Sequence, residues 1–419
     1  MLFFMGVTSA QHVFCAEFKM IVTKHLVENS MQQLKFINYL LILTSCLSVI
    51  TGCKLDNVSQ KNTLLPVSIK GKYGFINNKG KLVIPAEFDH VYRFREGLAA
   101  VSIAHKIGFI DEKGRYLINP LYEWFPGEPS DSEPSTFKDF GCFTEGLSVV
   151  IMNGKYGYID MTGKMVIAAQ FDYAKNFSDG MAAIAYKNPD DEEQWGFIDN
   201  NGKIVIPPQF SEASNFSEGL SAVAVCNQSK EKKWGYIDKT GKIIIQPSFS
   251  FATHFSEGLA AVSTAGLYSN KPFFGRWGFI DKTGKFVINP SFGFAHAFAE
   301  GVAVVCNEDK NSDWKDSIKC GYIDQTGNLL IKLQFVSAGD FSESYAQVKI
   351  GNLTESRIGF IDKTGNIVIN PKFDNAYNFV YGLAEVNIGG KFEGSGGFFC
   401  GGKWGYIDKK GQYIWEPTE

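Results

Sequence analysis

Acidic side chains recur at one fixed place along this chain: Asp111, Asp160, Asp199, Asp238, Asp281, Asp324, Asp362 and Asp408. A row of carboxylates can hold metal or sugar, or share the proton transfers of glycoside cleavage. Each of these lies three residues before a glycine, and Asn77 fills the same slot in one copy. An uncharged substitute suits a turn, where Asp or Asn accepts hydrogen bonds from the backbone just ahead. The row therefore reads as turn chemistry, and so does the Glu of Ser-Glu-Gly (Glu218, Glu257). The dense run Asp190-Asp191-Glu192-Glu193 reads as a solvated hairpin tip.

The other reactive residue types form no recognisable set. His90, His105, His254 and His296 occupy different columns of the sequence and lack ligand spacing, so they read as incidental. Past Cys53 there are Cys142, Cys226, Cys306, Cys320 and Cys400, with no C-x-x-C pair. Cys306 ends one strand of a hairpin and Cys320 opens its partner, which makes a cross-strand disulfide geometrically possible in an oxidising compartment. No nucleophile elbow, phosphate loop or dinucleotide fingerprint is present, since Gly394-Ser395-Gly396-Gly397 lies in a loop. No cofactor is expected and no enzymatic activity.

The elements that carry these residues are nine tandem units. Each centres on a dipeptide: Tyr73-Gly74, Ile107-Gly108, Tyr156-Gly157, Trp195-Gly196, Trp234-Gly235, Trp277-Gly278, Cys320-Gly321, Ile358-Gly359 and Trp404-Gly405. Spacings of 34 to 49 residues suit one supersecondary unit, not nine domains. Trp234 to Asp238 alternates like a strand, the Asp-Lys-Thr-Gly that follows is a turn, and Ile243-Ile244-Ile245 is a second strand. Being apolar at successive positions, that second strand is expected to be covered on both faces. Proline ends it in most units, as at Pro207 and Pro247. A connector follows with aromatics six apart (Phe210 and Phe216, Phe249 and Phe255), then a small-residue strand such as Leu259-Ala260-Ala261-Val262. Each unit thus predicts a three-stranded antiparallel meander, and the glycine after Trp a close approach between units.

These residues resemble the WG-repeat family of bacterial proteins, over about residues 64–417. The resemblance implies an all-β repeat fold and brings little about activity. Ile107, Cys320 and Ile358 depart from the aromatic, and Glu343-Ser344 and Tyr381-Gly382 from the Glu-Gly turn, as drifted units would.

The N-terminus reads differently. Residues 1–30 are a non-native extension by this reading, with translation starting at Met31. Residues 31–52 have a basic start and a short apolar run, and with Cys53 after Ile50-Thr51-Gly52 they resemble a bacterial lipoprotein signal. That implies lipidation of Cys53, a tether over 53–63, and a place in the bacterial cell envelope, periplasmic or surface-facing. The chain carries −3 and its leader +1 (Glu17, Lys19, Lys24, Glu28, Lys35), leaving −4 after cleavage. Such a balance argues against nucleic acid as a partner.

The expected architecture is an open, twisted, solenoid-like β-array, because whole units at both ends leave no spare strand for closure; the alternative is a closed propeller-like ring. Length variation falls mainly in the hairpin before the Trp-Gly strand, and a further insertion spans Tyr122 to Phe143. Variable loops on a rigid scaffold are where binding usually resides. The candidate loop residues are Asp190, Asp191, Tyr268, Phe273, Phe274, Trp314, Phe398 and Phe399. The expected function is a lipid-anchored scaffold for an unknown protein or glycan partner. A cell-wall or carbohydrate-binding protein is the alternative, with a glycan hydrolase behind it.

Overall fold

The computed structural model describes residues 64–123, 141–226, 231–264, 275–308, 318–351, 356–393 and 398–418. The fifth unit shows the pattern. Glu212–Ala213, Leu220–Cys226, Lys232–Asp238 and Ile243–Phe249 are hydrogen-bonded in that order, each pair antiparallel. Nine such sheets, or blades, succeed one another. The first and third show three strands among the described residues, and the other seven show four. A further two-stranded hairpin, Lys391–Glu393 with Phe398–Cys400, projects from the ninth.

The three-stranded meander is thus corrected to four. The extra strand hides in the aromatic connector, where Ser211 N–H donates to Ala224 O (2.9 Å) and Ser214 N–H to Ala222 O (2.8 Å). Two residues are too few to show an alternating pattern.

The fourth strand is also not covered on both faces. It is a sheet edge, and its first two residues face outward: Ile204 is 43% exposed and Val205 37%. Its third residue (Ile206) and last (Phe210) are buried. Between them the strand bulges, because Ile206 pairs with Phe197 while Phe210 pairs with Trp195. That bulge explains the glycine after Trp. A Cβ on Gly235 would lie 2.5 Å from Ile245 O and 2.7 Å from Pro247 N, both backbone atoms of its own blade. The close approach is therefore within a unit rather than between units.

Between units, rings fill the space. The second connector aromatic of each blade packs on the middle aromatic of the blade before it. Examples are Phe197–Phe216 (4.9 Å), Tyr236–Phe255 (4.8 Å) and Tyr322–Phe341 (4.9 Å), and the same pairing spans all eight junctions from first blade to ninth. Edge-on packing of buried rings adds dispersion and quadrupole attraction to the apolar burial. Buried tyrosines also donate across junctions, Tyr236 Oη to Thr253 O at 2.7 Å.

The array closes into a ring, which overturns the open solenoid. Tyr406 Oη of the last blade donates to Pro66 O of the first at 2.9 Å. Leu65, Val67 and Ile76 share one apolar cluster with Leu383 and Tyr406, and Tyr381, Ile414 and Trp415 pack against it. Closure needs no exchanged strand, because the small-residue strand of the first blade already presents an apolar face to the ninth.

Candidate binding face

Antiparallel connectivity divides the ring into two faces. Hairpins between first and second strands, and between third and fourth, lie on one. Hairpins between second and third strands lie on the other, beside the crossings into the next blade.

The first face is nearly uniform. In each third-to-fourth hairpin the Asp accepts from the backbone just ahead: Asp238 Oδ1 from Thr240 N–H (2.9 Å) and Lys242 N–H (3.1 Å), plus the Thr240 hydroxyl (2.6 Å). Asn77 accepts from Lys79 and Lys81 in the same way, both at 3.0 Å. The Thr240 hydroxyl holds the Asp238 carboxyl below its ordinary range, and Asp324 is lowered to about 2, chiefly by Thr326. In the second to eighth blades the turn before the small-residue strand carries an acidic residue at a positive φ that L side chains disfavour, such as Glu218 at 55° and Glu257 at 55°. Its side chain compensates by reaching the next blade. Glu257 accepts from Gly301 N–H at 2.9 Å, and Glu218, at 3.1 Å from Gly258 N–H, also pairs with Lys282 Nζ at 3.1 Å.

The second face varies. The first three blades close it with two-residue turns, Lys70-Gly71, Ala104-His105 and Asn153-Gly154, all at positive φ as twisted hairpins require. In the fourth, Asn188 Oδ1 accepts from Asp190 N–H (3.0 Å) and Glu192 N–H (2.9 Å), and Asp191 pairs with Lys187 at 2.7 Å. Asp190 and Asp191 are thus an exposed tip. The sixth blade leaves its second strand at Ser263 and returns at Trp277, the seventh leaves at Glu308 and returns at Ile318, and the ninth leaves at Ile388 and returns at Lys403.

Cys306 and Cys320 face each other in register at the base of the seventh-blade hairpin and are disulfide-bonded. In the ninth blade, Phe392 pairs with Phe399 and Glu393 with Phe398. The hairpin stem is held by Asn387, which donates to Gly401 O (3.2 Å) and accepts from Gly390 N–H (3.0 Å). Tyr268, Phe273, Phe274, Trp314 and the Cys53 leader lie outside the described residues.

Carboxylates at the blade crossings steady this face. Asp89 accepts from Ala104 N–H at 2.7 Å and from Lys72, whose hydrogen bond lowers its pKa. Asp374 accepts from Gly389 N–H at 2.7 Å and pairs with Arg357 at 2.7 Å. Buried Lys349 lies near Arg357 and Asp374. Burial first, and then the Arg357 charge, bring its ammonium down to about 8.

The family model for the WG containing repeat matches nine segments: 73–104, 107–128, 133–156, 156–188, 195–225, 234–268, 277–310, 321–353 and 358–392. This chain belongs to the WG-repeat family. No curated protein sequence matches it. Among solved structures, the β-propeller domain of the Trilobed protease from Pyrococcus furiosus has TM-score 0.38 and 8% identity, over 79% of this chain and 98% of that one. The tricorn protease has TM-score 0.36 and 13% identity, over 84% of this chain and 43% of that one. The WD40 β-propeller domain of Doa1 has TM-score 0.27 and 12% identity, over 73% of this chain and 91% of that one. Likeness at this level carries no activity across.

Sequence reasoning left four WG-repeat residues unassigned that the ring brings into play. Lys349 and Arg357 meet Asp374 only because strands of the eighth blade adjoin the crossing into the ninth. His296 Nδ1 lies 2.7 Å from Asp340 Oδ1, and His254 feels the same carboxylate. His296, read as incidental, is therefore paired with a carboxylate of the next blade. Among the described residues no group of three or more His, Cys, Asp or Glu is placed to hold a metal.

Proposed function

We propose that this WG-repeat protein is an exported, lipid-anchored scaffold that binds a protein or glycan of the cell envelope. The binding face is the one carrying the long hairpins. The observation that carries the reading is the asymmetry of hairpin length, tight over the first three blades and long over the sixth, seventh and ninth. A uniform face maintains the ring, whereas a face free to vary can be fitted to a partner. A non-catalytic role is supported by the recurring aspartates, whose oxygens are engaged in turns. Trp195 and Trp277 are buried, which favours a protein-core role for that column over a row of sugar-stacking rings.

The test replaces 265–274 and 309–317 by two-residue Asn-Gly turns and compares crosslinked capture from membranes. Loss of one specific partner with unchanged thermal unfolding is the expected result, and equal capture by both proteins refutes the reading. Anchoring is checked separately, by fatty-acid labelling that Cys53→Ser abolishes.

A further inference from the structure

The third-to-fourth hairpins open onto an apolar rim. In the first eight blades the first or second residue of the fourth strand is an exposed aliphatic, Leu82, Leu117, Ile243, Val287, Leu329 and Ile367 among them. Leu117 is 53% exposed and Ile367 50%. Apolar side chains exposed singly are ordinary; one at the same level of eight successive blades makes a belt. In the first six blades an exposed Lys or Arg stands immediately before that strand, as Lys81, Lys203, Lys242 and Lys285 do. Aliphatic groups flanked by long cationic side chains suit a lipid interface, where the apolar part enters the headgroup boundary and the charged tip stays in water.

The chain also enters the ring on this face. Leu64 pairs with Asn77, where the first blade's third-to-fourth hairpin begins, so the first strand runs from this face toward the other. Residues 53–63 precede it and reach at most about 36–40 Å. With the long hairpins turned to a membrane, that tether would use about half its reach climbing the first strand, roughly 20 Å for six residues.

We propose that the face bearing the third-to-fourth hairpins lies on a phospholipid bilayer, seated by the aliphatic belt, with the long hairpins turned away. The tether argument rests on the lipid-anchor reading; the belt stands without it. A belt that repeats round the ring calls for a partner offering the same chemistry in every direction, which a fluid bilayer surface does. A protein partner would meet one sector.

The test places a benzophenone amino acid singly at Leu117, Ile243 and Ile367 of the belt, and at Lys106 and Asp190 of the opposite face. The full chain is irradiated on its native membranes. Phospholipid adducts, measured by mass spectrometry, are expected to be several-fold more abundant from the belt positions. Leu329→Ser, Leu330→Ser and Ile367→Ser together should lower the yield at Ile243 several-fold at an unchanged melting temperature, since all three side chains are already half-exposed. An unchanged yield in that variant, or equal adducts from the two faces, overturns the seating. Fatty-acid labelling of Cys53 in the same sample reports the anchor separately. Belt adducts without the label uphold the seating and refute lipidation, whereas labelled chains without belt adducts do the reverse. Belt adducts to one protein instead, or a chain absent from the membrane fraction, overturn the bilayer assignment.

Discussion

Eight of the nine junctions in this ring are built alike, and the ninth is not. From first blade to ninth, each junction carries an aromatic pair at 4.8 to 5.1 Å. Seven also carry a carboxylate that accepts from the next blade's hairpin N–H. At the seam between ninth blade and first, neither device occurs among the described residues. Tyr381 stands where the other blades place an acidic residue, and it packs on the seam cluster with Leu65 and Val67. Trp415 replaces the buried isoleucine of the fourth strand, and Gly80 lies against Ile414 O. At the seam the chain sets apolar bulk where the other junctions set a carboxylate. Directional bonds serve where units repeat; non-directional burial closes the circle.

The comparison can be broken first at an ordinary junction. Phe255→Ala removes a fully buried ring, and chemical denaturation should show a loss of about 3–5 kcal/mol. A loss below about 1 kcal/mol would mean that the stacked rings are not what joins blades.

Gly80→Ala and Gly241→Ala separate seam from interior. Both glycines have positive φ, at 76° and 85°, which should cost each variant about 1 kcal/mol. At Gly80 the new Cβ would meet the Ile414 carbonyl at 2.1 Å, whereas at Gly241 it meets only the Ile206 side chain at 3.3 Å. Gly80→Ala should therefore be the costlier by about 1–3 kcal/mol, and equal melting temperatures would contradict the closed seam.

Tyr406→Phe deletes the one seam hydrogen bond described, and Tyr236→Phe its interior counterpart, at about 1 kcal/mol each. The two should differ in hydrogen exchange: amides of Leu64–Ile69 speed up in the first variant, while the second spreads its effect over both flanking blades. Tyr381→Glu should cost about 1 kcal/mol, by setting a carboxylate against Leu65 and Val67. Glu257→Gln should cost less, about 0.5 kcal/mol, since the amide oxygen can still accept from Gly301.

The smallest effect belongs to five of the hairpins. Asp160, Asp238, Asp281, Asp324 and Asp362 are lowered by their Thr hydroxyl and backbone partners, Asp324 to about 2. With the folded pKa below the unfolded one, their contribution is complete above pH about 4 and lost as pH falls through the folded value. An acid titration of melting temperature should fall between those limits, and Asp324→Asn should flatten it slightly.

Much of this was legible in the chain itself. Nine copies of an X-Gly dipeptide, four of them Trp-Gly, and eight of Asp-x-x-Gly announced all-β units and their turns, because a turn depends on residues within four positions of each other. The disulfide was legible only as a geometric possibility, since Cys306 and Cys320 flank one hairpin. The short fourth strand, the exposed edge and the closure were not legible. Each depends on what packs against a segment, and Ile204-Val205-Ile206 looks the same whether covered or bare. The meeting of His296 and Asp340 was equally hidden, because residues in different columns become neighbours only where blades pack together. Local hydrogen bonding, written in short motifs, determined the unit. Burial between units separated by hundreds of residues decided the ring, its seam and its middle.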